Sequence, residues 1–385
     1  MDSELDTPLK PLLLERVSAK GRITFAEFMA AALYEPGLGY YTSAGRKVGA
    51  EGDFYTSINV SVIFGRLIAR EVIRMWQVMG EPERFEIVEV GAAGGRLACD
   101  LLDTIAELAP PLYERLRLLL IEKEPSLMDA QREALSAHLT KIGWHGPDEL
   151  RDGKLHVSGC FYSNELIDSF PTHLVEMTRD GLREVFVEVR DGEFAEVLDT
   201  PSTPRLETYF REIGARLAVG QRAEANLNAP EWLASVANAL ERGFVLTIDY
   251  GYLAPELYGH MRQNGTLLCY YRHTLEENPL LRPGRQDITS HVDFTTLIAA
   301  GESLGLARVW YGEQYRFLMA TGMMEEMMLL ETRAMCEQER VKNRLVLKKL
   351  ILPEGGMGDT FKVLVQAKGI ENPQLLCLRD WSAAL

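Results

Sequence analysis

Residues 86–102 read EIVEVGAAGGRLACDLL. The stretch opens as an apolar run with an acid, Glu89, near its end. It passes through five small residues and then sets Leu97, Leu101 and Leu102 at helical spacing. Strand, tight turn, helix is the reading, and Gly91, Gly94 and Gly95 fall in the turn. Residues without a Cβ permit positive φ and let a ligand come close to the backbone.

The pattern continues outward from this unit. Strands are expected at Phe85–Val90, Arg117–Ile121, Leu155–Cys160, Phe244–Asp249, Thr266–Tyr271 and Ala307–Phe317. Helices are expected at about Leu97–Leu108, Ser126–Leu139, Glu231–Leu240 and Phe294–Leu304. Such alternation predicts an α/β fold with a mostly parallel sheet and helices on both faces. Residues 172–230 carry short alternating runs punctuated by Arg-Asp-Gly at 179–181 and 190–192, which reads as an antiparallel β insertion. Apolar periodicity over Thr7–Ala32 suggests two short helices, followed by a Gly- and aromatic-rich loop at Tyr34–Ser57 and a helix over Val60–Met79. The expected organisation is therefore an N-terminal helical extension with its loop (1–80) and a core (81–385) holding the insertion. A helix near Met323–Ile351 and a strand at Phe361–Gln366 close the chain.

Composition narrows the partners. The 385 residues are 46% hydrophobic and 25% charged, ordinary for a globular protein. Lys plus Arg number 41 against 56 Asp plus Glu, a net charge of −15 that repels nucleic acid and anionic membrane. The five cysteines are scattered without a Cys-x-x-Cys pair, as reduced thiols are. No leader pattern opens the chain and no apolar run reaches membrane-spanning length, so a cytoplasmic location with no membrane insertion is expected. His273, His291 and Asp293 lack the local spacing of a metal site, and His291 with Asp293 suits a cap for the helix at Phe294. No metal is expected.

Ligands of an open α/β sheet collect at the carboxyl ends of its strands. Glu122 ends the strand after the glycine turn, where an acid accepts hydrogen bonds from ribose hydroxyls. A dinucleotide fingerprint would need glycine at 93 and 96, where Ala93 and Arg96 stand, and the Gly-Lys-Ser/Thr of a P-loop is absent. What remains is a looser Glu-x-Gly-x-x-x-Gly turn, Glu89 to Gly95, of the kind used by class I methyltransferases. At the next strand end, SNELIDSFP (163–171) offers the Asn164 amide and the Glu165 and Asp168 carboxylates on neighbouring faces of a helical first turn. By residue type these acids suit either a helix N-terminus or the recognition of a cation.

An ordered series extends the pattern. It runs GDFYTSINVSVIFG (52–65), VEVGAAGGRLACDLL (88–102), LLLIEKEPSLMDAQ (118–131), SNELIDSFP, LTIDYGY (246–252), LLCYYRHTLEENPLLRPGRQDITSHVDFTTL (267–297) and MGDTFKVL (357–364). The series resembles the MidA-like family of S-adenosylmethionine-dependent methyltransferases over roughly residues 23–368. That family includes a mitochondrial respiratory-complex assembly factor that methylates arginine. The resemblance implies a class I, Rossmann-like fold, S-adenosyl-L-methionine as cofactor and a protein substrate, arginine above all. A homodimer is compatible with it. Gly52, Asp53 and Thr56 would border the cofactor, and Glu89, Gly91, Ala93, Gly95 and Glu122 would hold it. Asn164, Glu165 and Asp168 would hold and activate the acceptor. Against the family's E-x-G-P-G-R-G-x-L loop, Gly91 and Gly95 match the first and third glycines, and Ala93 replaces the second. Its methyl group stands where the methionyl moiety passes, and the cofactor fits if φ there is negative. The alternative implied function is a non-catalytic binding or assembly protein on the same fold.

Overall fold

In the computed structural model, residues 5–43, 62–272, 274–333, 338, 341, 344, 345, 350 and 360–380 are described. Strand β2 (Phe85–Val90) is buried along its whole length, which a strand between two helix layers requires. It pairs in parallel with β3 (Leu116–Ile121) from Phe85↔Leu116 to Val90↔Ile121, and with β5 (Val157–Asn164) from Glu86↔Gly159 to Val90↔Ser163. Beyond β3 lies β4 (Ile142–His145), and beyond β5 lies β10 (Leu240–Tyr252), both parallel to their neighbours. Two antiparallel strands, β16 (Phe361–Lys368) and β15 (Ala307–Glu313), finish the sheet in the order β15-β16-β10-β5-β2-β3-β4. The chain runs from β2 outward through β3 and β4, then returns to the other side of β2 with β5. The order therefore reverses between β2 and β5, and their carboxyl ends open the crevice where such sheets bind ligands.

Helix Arg96–Leu108 covers this sheet with Leu97, Leu101, Leu102 and Ile105 buried, and helix Val62–Val78 packs beside it. Burying those four side chains contributes roughly 6–12 kcal/mol before chain entropy offsets it. These elements form one compact unit, residues 56–166, 232–250 and 300–385.

The second unit comprises residues 1–55, 167–231 and 251–299. Its larger sheet is antiparallel: β1 (Arg22–Thr24), β6 (His173–Thr178), β7 (Gly181–Arg190), β8 (Glu193–Asp199) and β9 (Arg222–Ala225). The turn between β7 and β8 places Asp191 at φ 53° and Gly192 at φ 81°, the doubly left-handed pair a tight hairpin needs. The expected antiparallel insertion is present. A three-stranded sheet orders β12 (Thr274–Glu276), β11 (Leu268–Tyr271) and β13 (Asp287–Thr289), and β14 (Val292–Asp293) pairs with the end of β10. Helices Lys10–Lys20 and Phe25–Tyr34 match the expected N-terminal pair, the latter opened by a Thr24–Glu27 capping box.

Several expected elements are corrected. The run Ala307–Phe317 is strand only to Glu313; Gln314–Thr321 is a helix with Phe317, Leu318 and Thr321 buried, closed by Gly322 at φ 113°. Thr266–Tyr271 yields the short β11, outside the parallel sheet. Ser126–Leu139 divides into an α-helix, Pro125–Ala134, and a 3-10 turn, Ser136–Lys141. No described helix is long and apolar enough to cross a membrane.

Candidate functional site

Three alternate residues of the turn after β2 lie at positive φ: Gly91 at 78°, Ala93 at 44° and Gly95 at 79°. Gly95 N–H closes it by donating to the Ala92 carbonyl at 2.8 Å. A Cβ on Gly95 would stand 3.2 Å from Gln131 Cα and 3.3 Å from its Cγ, a tight fit on top of a φ that favours glycine. Gly91, Ala93 and Gly94 are exposed, leaving the backbone open to a ligand. The sign of φ at Ala93, left open by the sequence, is positive, because the closed turn carries residue 93 through the left-handed region. An alanine there costs about 1–2 kcal/mol. Ala93→Gly is accordingly expected to raise unfolding stability by up to about 1 kcal/mol, after the larger chain entropy of glycine is subtracted, in urea denaturation.

Glu122, one residue past β3, is tied into this turn. Its Oε1 accepts from the Lys123 and Glu124 N–H groups at 2.8 and 3.0 Å, and its Oε2 from Gln131 Nε2 at 3.2 Å. The same Gln131 nitrogen donates to the Ala93 carbonyl at 2.9 Å, and Gln131 Oε1 accepts from Trp144 Nε1 at 2.9 Å. Fully buried, Gln131 locks the glycine turn and the Glu122 carboxylate into one frame. A carboxylate offers about four lone-pair positions, so Glu122 keeps capacity for ribose hydroxyls. Nothing in the sequence singles out Gln131 for this role. Its position in an ordinary amphipathic helix gives no signal of where its amide points.

Glu89 is 2% exposed on β2, paired in register with Tyr162 on β5. Burial pushes its carboxyl up to about 7, and the nearby Tyr162 hydroxyl pulls it back only in part. Glu89 Oε2 and the Tyr162 hydroxyl meet no further hydrogen-bond partner among the described residues. A buried acid with an unfilled oxygen, two residues before an open glycine turn, fits a ligand that brings positive charge or donors. S-adenosylmethionine, with its sulfonium, ammonium and ribose, meets that description.

At the end of β5, Asn164 Nδ2 donates to Glu165 Oε1 at 3.0 Å. Glu165 N–H donates to the Ile248 carbonyl, and Leu166 N–H to Asp249 Oδ2 at 3.1 Å. Asp249 thus pins the turn. Glu165 is held at φ 51°, a conformation costly for a non-glycine residue. It stands on no helix: the only regular turn following it is the 3-10 segment Ile167–Ser169, so the expected helical first turn is corrected. A Cβ on Gly91 would lie 2.9 Å from Leu166 Cδ1, which places the glycine turn against this acid-bearing turn.

Asp168 belongs to the other unit, 5% exposed. There the Tyr41 hydroxyl donates to Asp287 Oδ1 at 2.8 Å and the Tyr34 hydroxyl to the Ser169 carbonyl at 3.0 Å. Burial raises both tyrosines, and the charges of Asp168 and Asp287 raise them further. Asp293 caps helix Phe294–Ser303 through Thr295 N–H at 2.9 Å, while His291 N–H donates to Thr266 Oγ1 instead. Gly52, Asp53, Thr56 and His273 lie outside the described residues.

Residues 67–312, more than half of the chain, match a family described as "Putative S-adenosyl-L-methionine-dependent methyltransferase". The chain is 30% identical over 347 residues to the mitochondrial protein arginine methyltransferase NDUFAF7 of Mus musculus, 83% of this chain and 76% of that one. To the Homo sapiens counterpart it is 29% identical over 342 residues, 82% and 74% of the two chains. It superposes with a TM-score of 0.85 and 30% identity on a Burkholderia thailandensis protein, described as a "likely methyl transferase" and bound to S-adenosyl-homocysteine, covering 97% and 94%. The mitochondrial names of the curated relatives overturn the expected cytoplasmic location. That expectation rested on absences in composition and leader pattern, and neither reports where a folded body is delivered.

Proposed function

Because the chain belongs to the S-adenosyl-L-methionine-dependent methyltransferase family, we propose that its acceptor is an arginine side chain of a protein. The observation that carries this reading is the Asn164–Glu165 pair on a strained turn, packed through Leu166 against the glycine turn at the strand-order reversal. The names of the relatives support the same acceptor.

A guanidinium is cationic and a poor nucleophile. Carboxylates hold it by paired charge-assisted hydrogen bonds and draw electron density onto the reacting nitrogen. S-adenosylmethionine supplies an electrophilic methyl group. In this reading Gly91, Gly95 and Glu122 position the donor's nucleoside and methionyl ends, with Gln131 keeping the turn and the acid in register. Glu165, oriented by Asn164, holds the guanidinium and takes up the proton its nitrogen loses. Most of the acceleration comes from alignment of the reacting atoms.

Calorimetric titration with S-adenosylmethionine and S-adenosylhomocysteine tests the donor site. Glu122→Ala is expected to weaken both by about 10–100-fold, the worth of one or two charge-assisted hydrogen bonds. Transfer of labelled methyl to protein, followed by hydrolysis and amino-acid analysis, tests the acceptor. Label recovered as methylarginine supports the proposal, and label on another residue type refutes it. A folded wild type that binds neither ligand would favour the non-catalytic reading, with the methyl group of Ala93 in the turn as its physical basis.

A further inference from the structure

On helix Arg96–Leu108, Cys99 and Asp103 stand four residues apart and so share one face. The 3-10 turn Ser136–Lys141 brings His138 against them. The Cys99 thiol donates to Asp103 Oδ2 at 3.8 Å, and His138 Nε2 lies 3.0 Å from Asp103 Oδ1. One atom from each side chain falls within 4.8 Å of the other two. On its far side the imidazole is oriented by the Tyr113 hydroxyl, 2.7 Å from His138 Nδ1.

We propose that Cys99, Asp103 and His138 form a binding site for a divalent ion of the zinc class. Thiolate, imidazole and carboxylate are the donors zinc takes, and tetrahedral coordination separates them by roughly 3.3–3.6 Å. With the three donor atoms within 4.8 Å of one another, side-chain rotations of about an ångström close the site. Three protein ligands leave the fourth position to water. His138 is buried, Cys99 half-buried and Asp103 exposed, which gives the ion a path from solvent. An outer partner that fixes the imidazole ring is the usual companion of a histidine ligand, and Tyr113 supplies it.

The protons balance. Cys99 gives its thiol proton to solvent and binds as thiolate. His138 binds through Nε2 in its neutral form, carrying its remaining proton on Nδ1 and donating it to the Tyr113 oxygen. The ion would then brace the helix that begins at the cofactor turn against Ser136–Lys141.

The test is a Co2+ titration of the reduced, metal-stripped full chain, read by absorbance. Expected are saturation at one equivalent, a thiolate-to-metal charge-transfer band, the visible bands of a four-coordinate ion, and displacement by Zn2+. Cys99→Ser, a near-isosteric change at a half-buried position, should abolish the charge-transfer band. Tyr113→Phe should retain it while weakening binding by about 10-fold. Absence of a stoichiometric band in the folded wild type would overturn the proposal. So would a band that survives Cys99→Ser, and His138 would then be only a hydrogen-bonded link between two segments.

Discussion

Glu165→Gln is expected to lower kcat for methyl transfer by about 10³-fold while changing S-adenosylmethionine affinity by less than about 3-fold. The isostere keeps the side chain's shape but replaces an anionic acceptor by a neutral amide. It therefore cannot offset the guanidinium charge or accept the departing proton, a loss of about 4 kcal/mol confined to the reacting state. The backbone gives a second handle. Glu165 sits at φ 51°, where a non-glycine residue stores about 1–3 kcal/mol. Glu165→Gly should therefore lose activity as Gln does, yet leave the protein as stable as wild type or more so in urea. A residue kept for structure would behave in the opposite way. Initial rates with labelled donor, set beside calorimetric affinities, separate the cases, and an unchanged kcat in Glu165→Gln would remove this residue from the mechanism.

The parts legible in the sequence were those whose physics is local. A strand buried on both faces has to be mostly apolar, and Phe85–Val90 is buried throughout with Glu86 and Glu89 its two charged residues. A turn that a ligand approaches closely has to shed side chains, and Gly91 and Gly95 do so at φ 78° and 79°. The hairpins of the insertion announced themselves by their Arg-Asp-Gly punctuation. What was not legible depended on partners distant in the chain. Gln131 reads as one more polar residue of a helix, and only the fold reveals its amide between the Ala93 carbonyl and Glu122. Gln314–Phe317 reads as a prolongation of β15 because aromatic residues favour both states, and the burial pattern over Gln314–Thr321 decides for helix. The backbone sign at Ala93 was open for a related reason, since φ there is set by closure of the whole turn and not by the residue itself.

Glu89 carries the other large expectation, and it concerns stability. With its carboxyl raised from 4.5 to about 7 by burial, the folded protein binds a proton that the unfolded chain has already released. A raised acid of this kind contributes fully below the unfolded value, and its contribution is lost as pH rises through the folded value. The window is therefore about pH 4.5 to 7. Across it the wild type should lose on the order of 3 kcal/mol relative to Glu89→Gln, which stays uncharged throughout. Equal stabilities near pH 4 and a more stable variant at pH 8, by urea unfolding of the ligand-free protein, are the expected outcome. Glu71, Glu224 and Asp293 are also raised by burial, so both proteins will slope in the same sense, and only the difference between them reports Glu89. A destabilising acid beside an open cofactor turn is understandable if its charge is needed when a cation binds. Titration of S-adenosylmethionine at pH 6, in buffers of different ionisation enthalpy, should then show a proton released by the wild type and none by Glu89→Gln. If both proteins release the same number of protons, Glu89 is a buried structural acid and the charge match with the sulfonium cofactor lies elsewhere.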